Sequence, residues 1–212
     1  MAHSSTKLSG SPLAQFIVYA CPTGALADQL TDYFKKSRNC CGANAAHRYM
    51  PHCTLTGFFH DAESSVPLYV EALSHSLADA QETHPSNAMQ IKALSFREDW
   101  HGIDLASDWL TTLIANFSRR IDSPTRHDSI RLKTWLHLSL AYEFEPSQSI
   151  QLEQLARGAV DITSAVAWEL RHYQRIKQQE PSVTNLKPVD VHEDGIALDG
   201  GDRWICHHSW SI

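Results

Sequence analysis

Apolar and polar positions change period several times along the chain, and the changes outline an α+β order. Residues 15–21 (Gln-Phe-Ile-Val-Tyr-Ala-Cys) are β-branched and aromatic and stop at Pro22, which predicts a strand. Thr23 is a candidate N-cap for a helix whose apolar face holds Leu26, Leu30, Tyr33 and Phe34. The Cys-Cys-Gly-Ala-Asn segment at 40–44 reads as a loop, and 51–59 alternates as a strand. Val66, Val70, Leu73 and Leu77 fall at helical spacing before a turn signal at Pro85-Ser86-Asn87. Residues 89–96 and 102–106 then read as a hairpin around the 97–101 connection.

The second half repeats the pattern. Ser107 or Asp108 caps a helix with the face Leu110, Leu113, Ile114, Phe117 and Ile121, and a strand at 134–144 follows a polar loop. A shorter helix at 150–159, a strand at 165–176 and strands near 189–198 and 203–210 complete the reading. Residues 1–12 are polar and Ser-rich, a loose arm, so one domain is expected over 13–212, with 180–212 an added strand, a lid or an oligomer contact. Each half offers a helix followed by a strand that bears a histidine.

Composition narrows the classes. The chain has 212 residues, 42% hydrophobic and 20% charged, which suits an ordinary globular protein of one domain or two small lobes sharing a cleft. The formal charge is -6, and no run of five or six Lys and Arg offers a counterion-releasing surface, so long duplex DNA is excluded as the expected partner while a short phosphate-bearing ligand is not. The apolar stretch 16–21 is too short to span a bilayer, and 1–12 lacks a basic region followed by an apolar core. A cytoplasmic monomer without a membrane partner is the expectation. Five cysteines with no C-x-x-C spacing favour free thiols, with Cys40 and Cys41 the one pair suited to redox behaviour.

The chemistry lies in two triplets, His52-Cys53-Thr54 and His137-Leu138-Ser139. The bare pattern is uninformative, since His3-Ser4-Ser5 and His207-His208-Ser209 also match it. Context separates them. In Trp-Leu-His-Leu-Ser-Leu-Ala (135–141), strand alternation puts Leu136, Leu138 and Leu140 on one face and His137 with Ser139 on the other. In Pro-His-Cys-Thr-Leu-Thr-Gly (51–57), Cys53 and Leu55 oppose His52, Thr54 and Thr56.

These two strands, 85 residues apart, resemble the paired His-x-Thr/Ser strands of the 2H phosphoesterase superfamily, and the cyclic-phosphodiesterase-like branch in particular. A weaker likeness extends over residues 14–176. The resemblance implies a bilobed α+β fold, two antiparallel sheets facing each other across a cleft with helices outside. It implies that His52 and His137 transfer protons, that Thr54 and Ser139 hold the phosphate, and that no cofactor or metal is needed. Its substrate would be a small nucleotide or short RNA end bearing a cyclic phosphate, hydrolysed to a phosphomonoester.

Two imidazoles suit that reaction because one can deprotonate water while the other protonates the departing oxygen. Tyr49, Phe58, Trp135 and Trp100 are candidate substrate contacts, against the alternative that aromatics near strands are core. Arg97, Lys133 and Arg171 are candidates for a second phosphate, against the alternative of solvated charges. Cys206 with His208 is an incomplete metal pair. The competing readings are 2'-5' RNA ligation, cleavage of 2'-5' or cyclic oligonucleotides, and a nucleotide-binding module of the same fold that makes no product.

Overall fold

The structure is a computed structural model that describes residues 13–84, 89–177 and 202–212. The N-terminal arm, the turn at 85–87 and the strand expected near 189–198 lie outside the described residues, as does most of the segment preceding the last strand.

The spine is β1 (Ala14–Thr23), in which Phe16, Val18 and Ala20 face the main core while Ile17, Tyr19 and Cys21 face the other way. It pairs antiparallel with β7 (Ala167–Ile176) on one side and with β2 (Cys53–Thr54) and β3 (Phe59–Asp61) on the other. The remaining strands are β4 (Gln90–Phe96), β5 (Trp100–Ala106), β6 (His137–Tyr142) and β8 (Arg203–Ser211). The order is β4-β5-β6-β2-β1-β7-β8, with β3 beside β1, in one eight-stranded sheet whose neighbours all run antiparallel. Two separate facing sheets are therefore not what the hydrogen bonds form. The two halves meet in one ladder at β2 and β6, which share the single register pair Cys53↔Leu138.

Among the described residues four α-helices cover the sheet: α1 (Ala25–Cys41), α2 (Val66–Thr83), α3 (Asp108–Arg120) and α4 (Ser149–Ala159), packed as α1 with α4 and α2 with α3. Ser107 caps α3 by accepting the Leu110 N–H, one of the two caps expected. The expected Thr23 cap is absent, since Gly24 occupies the N-cap of α1 without a side-chain bond. The loop expected at Cys40 and Cys41 is instead the last turn of α1, held because Cys41 buries against Ala141 and Leu152, and ended by Gly42 at φ 80°. All five cysteines are free thiols, and the Cys40 and Cys41 sulfurs stand 3.7 Å apart.

The strand expected over 51–59 is broken. Thr56 turns its hydroxyl into the ladder, where it accepts the Val18 N–H at 3.1 Å in place of a backbone carbonyl, while the chain here bridges to Leu132 and resumes its register with β1 at Phe59. Among the described residues no helix is long and apolar enough to cross a membrane.

Among the buried histidines, His172 lacks a partner for either nitrogen. His172 on β7 packs among Phe16, Phe59 and Tyr69 with both ring nitrogens buried and unpartnered, and burial lowers its pKa to about 3. Below pH 6.5 the unfolded chain binds a proton at this position that the folded chain refuses down to about 3, so folding stability falls as pH drops through that window. His172→Leu is expected to lose less stability than wild type between pH 7 and pH 5, measured by chemical denaturation at each pH; equal losses would remove His172 as the cause.

Candidate functional site

The junction of β2 and β6 positions the motif residues. Cys53 and Leu138 are fully buried on the helix side of the sheet, so their neighbours on each strand project from the opposite face. Continuing the antiparallel register one step from Cys53↔Leu138 places His52 across from Ser139 and Thr54 across from His137, with Cβ separations of roughly 4.5–5.5 Å. The two motifs are thus related by a local twofold through that pair. His52, His137 and Ser139 line a cavity of about 560 Å³ together with Tyr49, Trp100 and Trp135. Thr54 is not part of the cavity wall.

Each histidine is oriented by the backbone carbonyl two residues before it. His52 Nδ1 lies 2.7 Å from the Met50 oxygen, and His137 Nδ1 lies 3.2 Å from the Trp135 oxygen. A carbonyl only accepts, so Nδ1 carries the proton in both neutral rings and Nε2 is the basic nitrogen. The surroundings then differ. His52 is covered by Tyr19, ring centroids 3.9 Å apart, and its Nε2 meets Thr54 Oγ1 at 3.1 Å. His137 stacks on Trp135 at 3.9 Å and meets the Trp100 edge at 5.2 Å.

Burial lowers the His52 pKa to about 4, opposed by the Met50 carbonyl and assisted by a charge on His137. His137 is lowered first by burial; the Trp135 carbonyl and Asp104 oppose the shift, while Lys133 and Arg97 reinforce it. Both rings are therefore held toward the neutral state.

The other candidates divide. Tyr49 and Trp135 reach the cavity, and Trp135 is 41% exposed. Phe58 does not: it packs against Trp204 beneath the Arg175 guanidinium. Arg97 lines the cavity with its guanidinium 4.5 Å above the Trp135 ring. Lys133 influences His137 only through its charge, and Arg171 is paired with Glu169 at 2.8 Å on β7. Cys206 and His208 gain no third ligand, since the described residues contain no metal-binding group of three. Sequence reasoning missed Met50, whose carbonyl orients His52, and Asp104, which accepts the Trp135 indole N–H at 3.0 Å. Asp104 sits opposite His137 in the β5 register, a relation that no spacing in the sequence reveals.

No family model and no solved structure matches the chain. It is similar over 178 residues to ecdysteroid-phosphate phosphatase of Bombyx mori, at 26% identity, covering 81% of this chain and 26% of that protein. It is 30% identical over 163 residues to ubiquitin-associated and SH3 domain-containing protein B of Mus musculus, covering 73% of this chain and 24% of the relative. A third relative, ecdysteroid-phosphate phosphatase of Drosophila melanogaster, is 28% identical over 195 residues, covering 76% and 26%. The chain spans about a quarter of the length of these curated relatives. Two of the names specify a phosphatase; none mentions two histidines.

Asp104 supplies the carboxylate that favours the charged form of His137. Asp104→Asn is expected to lower the His137 pKa further, read from the imidazole proton resonance during an NMR pH titration, and an unmoved or raised value would contradict this account.

Proposed function

We propose that this chain is a metal-independent cyclic phosphodiesterase of the 2H phosphoesterase type, in which His52 and His137 open a nucleoside 2',3'-cyclic phosphate or an ADP-ribose cyclic phosphate to a phosphomonoester. The observation that carries the reading is the convergence of two Nδ1-anchored imidazoles, from strands joined at one register pair, on the wall of one cavity. A phosphorus held between them has a base on one side and an acid on the other, the arrangement that in-line displacement requires.

His52 is assigned as the base because it is the ring held neutral, with its Nε2 open to a proton. It is the more deeply buried ring and the one whose basic nitrogen is kept free of a proton most strongly. It takes a proton from water as the water oxygen bonds to phosphorus. His137, beside Asp104 and open to the cavity, gives its proton to the departing ester oxygen as that P–O bond breaks. The Ser139 hydroxyl donates to a non-bridging oxygen, and Thr54 reaches the phosphate only after leaving His52 Nε2. The negative charge of a bound phosphodiester raises both imidazole pKa values, which loads the acid at the moment the substrate arrives.

The relatives agree at a coarser level, since a protein named ecdysteroid-phosphate phosphatase acts on a phosphoester. That name belongs to a protein about four times the matched length, so phosphoester chemistry is carried over to this chain and the steroid substrate is not. A diester suits a pair of proton-transferring rings and needs no covalent intermediate.

Purified protein incubated with each 2',3'-cyclic nucleotide in excess EDTA is expected to yield one phosphomonoester, with kcat lowered by on the order of 100-fold or more in His52→Ala and in His137→Ala. Turnover indifferent to both histidines, or abolished by EDTA, sinks the proposal; absence of turnover turns the search to 2'-5' oligonucleotides and a pure binding role. In the free enzyme the base must be neutral and the acid charged. The expected kcat/KM therefore rises through pH about 4 and falls again below pH 6.5, with the kcat optimum shifted to higher pH by bound substrate. An optimum of kcat/KM well above pH 7 would contradict the assignment.

A further inference from the structure

The two motif hydroxyls are equivalent in sequence and unequal in space. Because His52 Nδ1–H donates to Met50, its Nε2 can only accept in the neutral ring, and the Thr54 hydroxyl hydrogen is committed to it. At the twofold-related position no such bond forms. Ser139 Oγ instead receives the Trp100 indole N–H at 2.9 Å, its only bond among the described residues. An indole nitrogen is donor only, so Ser139 must be the acceptor, and its own hydrogen remains free to point into the cavity that it lines.

The placement of Trp100 is built, not incidental. Trp100 is 8% exposed although it stands at the first residue of β5, and its benzo ring lies against Gly102, where a Cβ would come within 2.2 Å of the indole and 2.4 Å of the Leu138 carbonyl oxygen. The β5–β6 register shifts between His101 and Gly102, and Gly102 is the residue that pairs with Ser139. Bulge, glycine and indole thus act together at one residue of the candidate site. A surface tryptophan that merely covered apolar area would require neither the missing Cβ nor the bond.

We propose that Trp100 is a positioning residue that fixes Ser139 as a one-directional hydrogen-bond donor to a non-bridging phosphate oxygen, with Gly102 supplying the space that this requires. The assignment rests on the phosphodiesterase reading above. A free serine hydroxyl samples three rotamers and can turn its hydrogen toward solvent or backbone. One that accepts an indole N–H at one lone pair cannot turn its hydrogen toward the indole, so fewer directions compete with the cavity before substrate arrives and less reorganisation is needed as charge builds on the phosphate oxygens.

Turnover of a 2',3'-cyclic nucleotide is compared in wild type, Trp100→Phe, Ser139→Ala and the double variant. Trp100→Phe, which keeps the ring and removes the donor, is expected to lower kcat about fivefold to tenfold with KM changed less than about twofold, the size of one hydrogen bond. In the Ser139→Ala background the same change is expected to cost less than about twofold, because its route to the substrate is gone. Losses that multiply in the double variant, or a Trp100→Phe enzyme equal to wild type, overturn the assignment while leaving the phosphodiesterase reading intact. A wild-type protein without turnover overturns both. Should Trp100→Phe fail to fold, Ser139→Ala still decides: it is expected to shift the Trp100 indole N–H resonance, and an unmoved resonance overturns the bond on which the proposal stands.

Discussion

The β2–β6 contact is the constraint on which the rest depends. One β2–β6 register pair, Cys53 with Leu138, lies at the junction of the two halves, extended by the Thr56↔Leu132 bridge, and both side chains of the pair are withdrawn completely into the core under the helices. Burying that pair forces the residues on either side outward. Because antiparallel strands run in opposite senses, the same geometry sets each histidine across from the other motif's hydroxyl. Had the register slipped by one residue, the imidazoles would point into the core and the cysteine and leucine into the cavity.

The strand order supports that contact symmetrically. From the junction outward the sheet reads β6, β5, β4 on one side and β2, β1, β7, β8 on the other, and β5–α3–β6 mirrors β1–α1–β2. Each half gives its motif strand a longer neighbour to pair with and a helix to cover its apolar face. Short pairing at the centre is sufficient because β1 and β5 hold the motif strands from outside. Thr56 shows how local the arrangement is: by substituting its hydroxyl for a backbone acceptor it ends β2 just past the motif.

Symmetry of backbone does not extend to electrostatics. His52 lies over Tyr19, while His137 rests between Trp135 and Trp100 with Asp104, Arg97 and Lys133 all acting on its charge. Two identical side chains on related strands are thereby given different affinities for a proton, the asymmetry that the proposed division into one base and one acid requires. The same break separates the hydroxyls, one turned toward its histidine and one held by an indole.

What the sequence determined by itself is what depends on short-range periodicity. Alternation around His52 and His137 was enough to place each imidazole on the polar face of a strand, and 3.6-residue spacing located α2, α3 and α4 closely. The extent of the 51–59 strand and the end of α1 were not legible, because each is decided by a distant partner: Val18 for Thr56, and Ala141 with Leu152 for Cys41. The cavity wall divides in the same way. His52, His137 and Ser139 could be named from their strands, whereas the exclusion of Thr54 and Phe58 from the wall, the stacking of Arg97 on Trp135 and the approach of Trp100 to Ser139 are relations between residues tens of positions apart. Periodicity reports which face a side chain takes on its own element. Only packing decides what stands opposite that face, and it is the opposite face that sets a histidine's proton affinity and a hydroxyl's direction.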